Sequence, residues 1–438
     1  MKKHFILAAA AAFAMVACAK VETIQNTVEA NAISFGVYVP QATKAGAAGT
    51  ITTAGADETT SLQTTGFGVF ATYSNGGDYA ATTGPNFMYN TKVSGASWSY
   101  SPIKYWPNET INDYHSAIAP AAADKLSFFA YAPHVGYVND EDHGNDFTGS
   151  TSEGITALTA KNATTDPMVT YKVSTTPETA VDLLWAVAPA GGFSYTDVHN
   201  ATVSVAEGMP LKNLTKPNTT KAMSFRFRHA TARLGLKIQG AFDQVAAGGT
   251  LQDGTKVTVK QIQLVDVPVY TQGDLNLNNT TPNTPLWQSL SGPTNTTFTV
   301  QGANLNATIK DSGTDDIQSV EGVTNEAKNV FANDKTFFTL IPVDDPTTIR
   351  VKITYDVTTA DNGLSVGFSR VENVIYKDIV FGEDNEEPTP DVPAFEAGKA
   401  YTIKIILGMT SVKLEAEVEP WGNGEDKSVD LPVNTAGA

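Results

Sequence analysis

The chain has 438 residues, more than the roughly 250–300 that one hydrophobic core organises, so two domains are expected. Its 35 glycines and 22 prolines, with abundant Thr, Asn, Ala and Val, favour strands joined by turns over helices. A net charge of -17, more negative still once Lys2 and Lys3 are removed with a leader, excludes nucleic acid and anionic lipid as natural partners.

The first twenty residues, MKKHFILAAAAAFAMVACAK, carry the parts of a secretory signal: two lysines, an apolar run from Phe5 to Val16, and a small residue before the break. The run is shorter than the about 20 residues a membrane-spanning helix needs. Met15-Val16-Ala17-Cys18 is similar to a bacterial lipobox, which makes residues 1–17 the signal and Cys18 the lipid attachment site. Cys18 is the only cysteine of the chain, so it has no internal disulfide partner. Ordinary secretion with an unmodified cysteine is the other reading.

Period-two segments then follow one another, the pattern of strands whose alternate side chains share a face. Ile33, Phe35, Val37 and Val39 form the first; a loop rich in Gly, Ala and Thr after it contains Lys44. Phe67, Val69, Ala71 and Tyr73 form the next. In residues 125–132, Leu126, Phe128 and Ala130 oppose Phe129 and Tyr131. Further strands are expected at 181–188, 224–229, 232–240, 257–267, 337–343, 349–357 and 400–408. Residues 205–221, poor in apolar side chains and carrying Pro210 and Pro217, are expected to be a linker or a long loop. The domain boundary is therefore placed near residue 215, and 270–335 is expected to hold loops and short strands. With no amphipathic helix of three turns, the fold class is all-β, built of antiparallel sandwiches.

Near the end, Val412, Leu414, Ala416 and Val418 alternate with Lys413, Glu415, Glu417 and Glu419. Pro420 is expected to end that strand and Gly422 to permit a turn. Val429, Leu431 and Val433 make a second, shorter alternation. A closing edge strand with a frayed terminus accounts for this tail; so does a strand that leaves its own domain for a neighbour's groove.

The residues give little to catalysis. No two of the mature histidines have a metal-ligand spacing, and there is no G-x-S-x-G elbow or phosphate-cradling glycine loop. The chain is read as a non-enzyme without a cofactor. Asp140, Glu141, Asp142 and Asp146 could hold calcium but miss the EF-hand register, and a solvated loop explains them as well. Trp98, Tyr100, Tyr105 and Trp106 are either a sugar-binding platform or a strand face packed into a core.

Taken in order, the stretches MVAC, ISFGVYVPQATKAG, FGVFATYS, WSYSPIKYWP, LSFFAYAP, DLLWA, FRFRHATARLGLKI and GKAYTIKIILGMTSVKLEAEVEPWG resemble the fimbrillin-like subunits of type V pili. The resemblance spans nearly the whole chain. It implies two transthyretin-like antiparallel sandwiches in tandem, at 45–215 and 216–438, preceded by a propeptide at 18–44. It further implies a lipid-anchored outer-membrane precursor that a trypsin-like protease cuts after Lys44. Loss of the strand holding Ile33, Phe35, Val37 and Val39 would then open a groove for the tail of another copy, residues 412–438. Processing in the family is best known at arginine, and the first arginine here is Arg226, so an uncleaved anchor or accessory subunit is the alternative within the family. A monomeric surface lipoprotein that binds glycan or host protein is the alternative outside it.

The physical logic of exchange is independent of the resemblance. Two strands of equal length and pattern can compete for one groove, gaining edge hydrogen bonds and side-chain burial. Such a head-to-tail contact does not close on itself and propagates a filament.

Overall fold

A computed structural model describes residues 32–37, 58–107, 124–136, 149, 152–242, 254–311, 321–333, 336–344, 347–381, 395–408, 411–421 and 429–430. Residues 1–17, Cys18, Val39, Lys44, the acidic stretch around Asp140–Asp146, Leu431 and Val433 lie outside them.

Apolar runs between residues 67 and 229, with the strand at 34–37, assemble into a seven-stranded sheet. It contains β1 (Ser34–Val37), β2 (Phe67–Ser74), β3 (Met88–Val93), β4 (Lys125–Ala132), β7 (Leu184–Val187), β10 (Leu211–Leu214) and β11 (Ala222–His229), in the order β1-β11-β7-β4-β2-β3 with β10 pairing β4. Its central strands are buried on both faces. Phe128 and Ala130 of β4 face one apolar cluster with Phe67, Leu184, Phe225 and Phe227; Phe129 and Tyr131 face another with Phe70 and Trp185. This is why these segments read as nearly continuous apolar runs rather than as clean polar alternation.

The remaining strands form four further sheets. β5 (Gly154–Leu158), β6 (Met168–Lys172), β14 (Gln272–Asn276) and β15 (Leu286–Gln288) run in the order β15-β14-β6-β5. A second four-stranded sheet, β16-β13-β19-β20, contains β13 (Thr255–Val269), β16 (Thr294–Gln301), β19 (Thr347–Ala360) and β20 (Phe368–Phe381). A six-stranded sheet, β17-β12-β21-β22-β23 with β18 on β12, contains β12 (Ala232–Gly240), β17 (Lys328–Asn329), β18 (Phe338–Leu340), β21 (Lys399–Leu407), β22 (Val412–Pro420) and β23 (Val429–Asp430). Finally, β8 (Phe193–Thr196) and β9 (Thr202–Val205) make a hairpin. The fold is all-β. Pairing is antiparallel throughout except for β1 with β11 and β12 with β21.

One departure from the sequence reading has a clear cause. Residues 205–221 are not only loop: Leu211 and Leu214 are fully buried, and β10 pairs with β4 between Pro210 and Pro217. Four residues with a bulge are too few to show a period. The one α-helix among the described residues, α1 (Glu58–Thr65), is two turns long and has no apolar stripe beyond buried Leu62. Gly66, at φ 76°, caps it by donating its N–H to Leu62 O at 2.8 Å. No helix among the described residues is long and apolar enough to cross a membrane.

Residue 215 lies between β10 and β11, which belong to the same sheet, and β6 pairs with β14 from the other side of that position. The larger apolar cluster likewise draws on both halves of the sequence, from Phe70 to Leu414.

Candidate functional site

The first strand carries three apolar side chains on one face, and the sheet gives each a place. Ile33 and Phe35 are 2% and 5% exposed, and the half-buried Val37 packs against the same cluster. Phe35 is the centre: its ring lies 5.3 Å from Tyr100, 5.8 Å from Phe128 and 6.0 Å from Phe225, edge-on to the first two and stacked on the third. Burying Ile33 and Phe35 contributes about 1.5–3 kcal/mol each.

The backbone of this strand is held more lightly than its side chains. β1 pairs in parallel with β11 over four positions, from Ser34 opposite Ala222 to Val37 opposite Phe225. On its other side Ile33 donates its N–H to Lys104 O at 2.9 Å, and an isolated bridge joins Ala32 to Tyr105. The Tyr100 hydroxyl donates to Ile33 O at 2.8 Å; burial raises its pKa above the ordinary value. β1 is thus a short plug seated between β11 and the 100–106 segment. Parallel pairs are slightly weaker per residue than antiparallel ones, so the plug depends mainly on its side chains.

The aromatic segment is core, not platform. Tyr100 and Trp106 are buried, Trp106 lies 6.1 Å from Phe128, and the half-buried Trp98 lies 5.7 Å from Phe67. Tyr105 and Ile103 remain exposed.

The second half of the site is the tail. β22 pairs with β21 at nine consecutive positions, from Leu407–Val412 to Lys399–Pro420, so Pro420 is its last residue, as its missing N–H predicts. Leu414 is 2% exposed, and Val412, Ala416 and Val418 pack half-buried against the larger cluster. The opposite face is charged: Lys413 donates to Glu415 at 2.8 Å and holds that carboxyl below its ordinary range. Beyond the strand, β23 returns to pair Val429 with Val418 and Asp430 with Glu417. β22 is therefore paired along its whole length on one edge by β21 and at two positions on the other by β23.

Between strand and return sits a group that sequence reasoning missed. Trp421 is buried, accepts an edge contact from Phe337 at 5.2 Å, and donates its backbone N–H to Gly398 O at 2.8 Å. It stacks on His229 of β11, whose Nδ1 is 2.9 Å from the buried Asp182 carboxylate. A tryptophan directly after a strand-ending proline was a signal of an anchor; nothing in the local sequence of Asp182 announced its partner. β1 and β22 belong to different sheets, but β1 pairs with β11 and Trp421, the residue after β22, stacks on the last residue of β11.

Among the described residues no group of three or more His, Cys, Asp or Glu is placed to hold a metal ion.

No family model matches the chain, and no curated protein matches it. Its structure is similar to the crystal structure of a fimbrial protein from Bacteroides vulgatus, with a TM-score of 0.55 and 21% identity over 89% of this chain and 99% of that one. A candidate cell adhesion protein from Bacteroides uniformis aligns over 90% of this chain and 99% of its own, at 14% identity and a TM-score of 0.39. The chain shares the all-β fold of the Bacteroides vulgatus fimbrial protein over nearly its full length.

Proposed function

We propose that the protein is a structural, non-catalytic subunit of a cell-surface fimbria of the type V pilus kind, polymerising by proteolysis-triggered strand exchange and serving adhesion. The observation that carries this reading is the seating of β1: apolar side chains in the core on a short strand whose sheet pairing is four parallel positions. The fold shared with a fimbrial protein supports it. In this reading residues 1–17 are removed as a signal, Cys18 is acylated and anchors the precursor in the outer membrane, and residues 18–44 are a propeptide. A trypsin-like protease cuts after Lys44. The strand of Ile33, Phe35, Val37 and Val39 leaves, and the tail of another copy enters, offering Val412, Leu414, Ala416 and Val418 or Val429, Leu431 and Val433. The two units at 45–215 and 216–438 are read as transthyretin-like sandwiches that share strands across their boundary.

A strand that plugs a groove through three apolar side chains leaves at most about 4.5–9 kcal/mol of burial for a replacement of similar pattern, less the cost of ordering the incoming tail. Trypsin treatment followed by N-terminal sequencing and negative-stain microscopy tests the reading. The first cut should yield a new terminus beginning AGAAG, and filaments should appear only after it. A protein cut at Lys44 that stays monomeric sinks the polymerising role. The nine-residue pairing of β22 with β21 favours one second reading, an uncleaved anchor or accessory subunit whose β22 stays on its own sheet; for it, the protein should resist cleavage at Lys44 altogether.

A further inference from the structure

A cleft unrelated to either strand opens where three sheets converge. Its accessible volume is about 440 Å³, within the usual range for small-molecule sites. Tyr270 comes from the end of β13, Trp287 from β15, Leu290 from the turn after it, Asp344 from beyond β18 and Glu396 from just before β21. No local motif could have assembled them.

The walls are apolar and fixed. Trp287 donates its Nε1–H to Ala230 O at 3.0 Å and meets the Tyr171 ring edge-on at 6.2 Å, so its half-buried indole offers carbon to the cleft. Gly273 stands close behind: a Cβ there would come within 2.7 Å of Leu290 Cδ2 and 3.1 Å of Trp287 Cε3. The missing side chain lets the two wall residues seat directly on β14.

The rim is polar, and among the described residues no cation pairs with its carboxylates. Asp344 and Glu396 are exposed carboxylates and can only accept. Asn283 already accepts from Arg228 at 2.8 Å through Oδ1, leaving its amide hydrogens to donate. Among the described residues no lysine, arginine or histidine lines the cleft, so none of these would hold an anion there. The carboxylates stand in water, where ion pairing contributes little, so a simple cation would gain little from them. A ligand that combines hydroxyl donors with a flat face of C–H groups satisfies both rim and walls. We infer that this cleft, between Tyr270 and Trp287 and rimmed by Asp344 and Glu396, binds a neutral saccharide. The inference does not depend on strand exchange.

Saturation-transfer NMR on the full-length protein with the methyl glycosides of glucose, galactose and N-acetylglucosamine tests it. At least one glycoside should receive magnetisation, chiefly on its ring C–H protons, and the pair Asp344→Asn with Glu396→Gln should weaken its binding about tenfold. Both positions are exposed, so the double variant should fold; Tyr270→Ser, which removes a wall, should weaken binding as well. Absence of transfer from all three glycosides overturns the proposal, as does transfer that persists unchanged in the variants. Binding of butylammonium in place of the glycosides, lost in the same double variant, would make the cleft a cation site and equally overturn it.

Discussion

The indole of Trp421 lies flat on the imidazole of His229, ring centroids 3.9 Å apart and planes 10° from parallel. His229 ends β11, the strand whose other end carries β1, so the exit of the tail and the first-strand plug lean on one strand. Asp182 meets the edge of the imidazole at Nδ1, and among the described residues Asp182 Oδ2, His229 Nε2 and Trp421 Nε1 have no hydrogen-bond partner. The stack is held by packing, which makes it sensitive to truncation.

Trp421→Ala should therefore lower stability by about 3–5 kcal/mol, the range for removing a buried large aromatic side chain. Trp421→Phe should recover part of that loss by keeping a ring on His229. Urea unfolding of the three proteins, followed by far-ultraviolet circular dichroism, reads both differences.

Phe35→Ala should cost about 3–5 kcal/mol of plug stability for the same reason. Because β1 holds mainly by side chains, the loss should appear first as faster protease access near the N-terminus. Under the strand-exchange reading the variant also assembles faster after cleavage; slower or unchanged assembly of a folded Phe35→Ala protein would count against displacement of β1.

Tyr100→Phe removes one hydroxyl while keeping the ring against Phe35. It should cost about 1 kcal/mol by leaving Ile33 O without that donor. A change indistinguishable from zero in denaturant midpoint would show that the hydroxyl does not clamp the strand.

Burial pushes the His134 imidazole down to about 4 from its ordinary 6.5, with Lys92 adding to the shift and the bond to Asn90 O opposing it. The folded pKa is depressed, so the unfolded chain binds the extra proton between the two values. The stability tied to neutral His134 is present above 6.5 and is lost as pH falls toward about 4. The loss across that window should be about 3 kcal/mol. His134→Gln should flatten that part of the curve when urea midpoints are compared at about pH 7.5 and about pH 4.5.

Two truncations separate the tail's parts. Deleting residues 422–438 leaves Trp421 and all nine β21–β22 pairs and should give a stable monomer. Deleting 412–438 also removes buried Leu414 and Trp421 and uncovers the β21 edge, and should lower the melting temperature sharply. Equal stability of the two would mean that β22 adds nothing to its own sheet.

The strand pattern alone determined much of this protein. Period-two runs located the sheet-forming segments, and the alternation at Ile33, Phe35 and Val37 and at Val412, Leu414, Ala416 and Val418 marked the faces that the structure buries. Pro420 marked where β22 stops, because a proline has no N–H to continue the ladder. What the tertiary structure decided is everything that depends on distant chain segments meeting. Parallel pairing of β1 with β11 joins residues nearly two hundred positions apart, and no local signal distinguishes it from an antiparallel partner. β10 is a strand because β4 offers it an edge, not because its own four residues demand one. For Trp98, Tyr100 and Trp106 the sequence left a platform and a core face both open, and the structure decided for the core, since burial follows from what packs above a side chain. The Asp182–His229–Trp421 stack and the Tyr270–Trp287 cleft were illegible for the same reason: each gathers residues from separate strands, and only closure of the sheets brings them within contact.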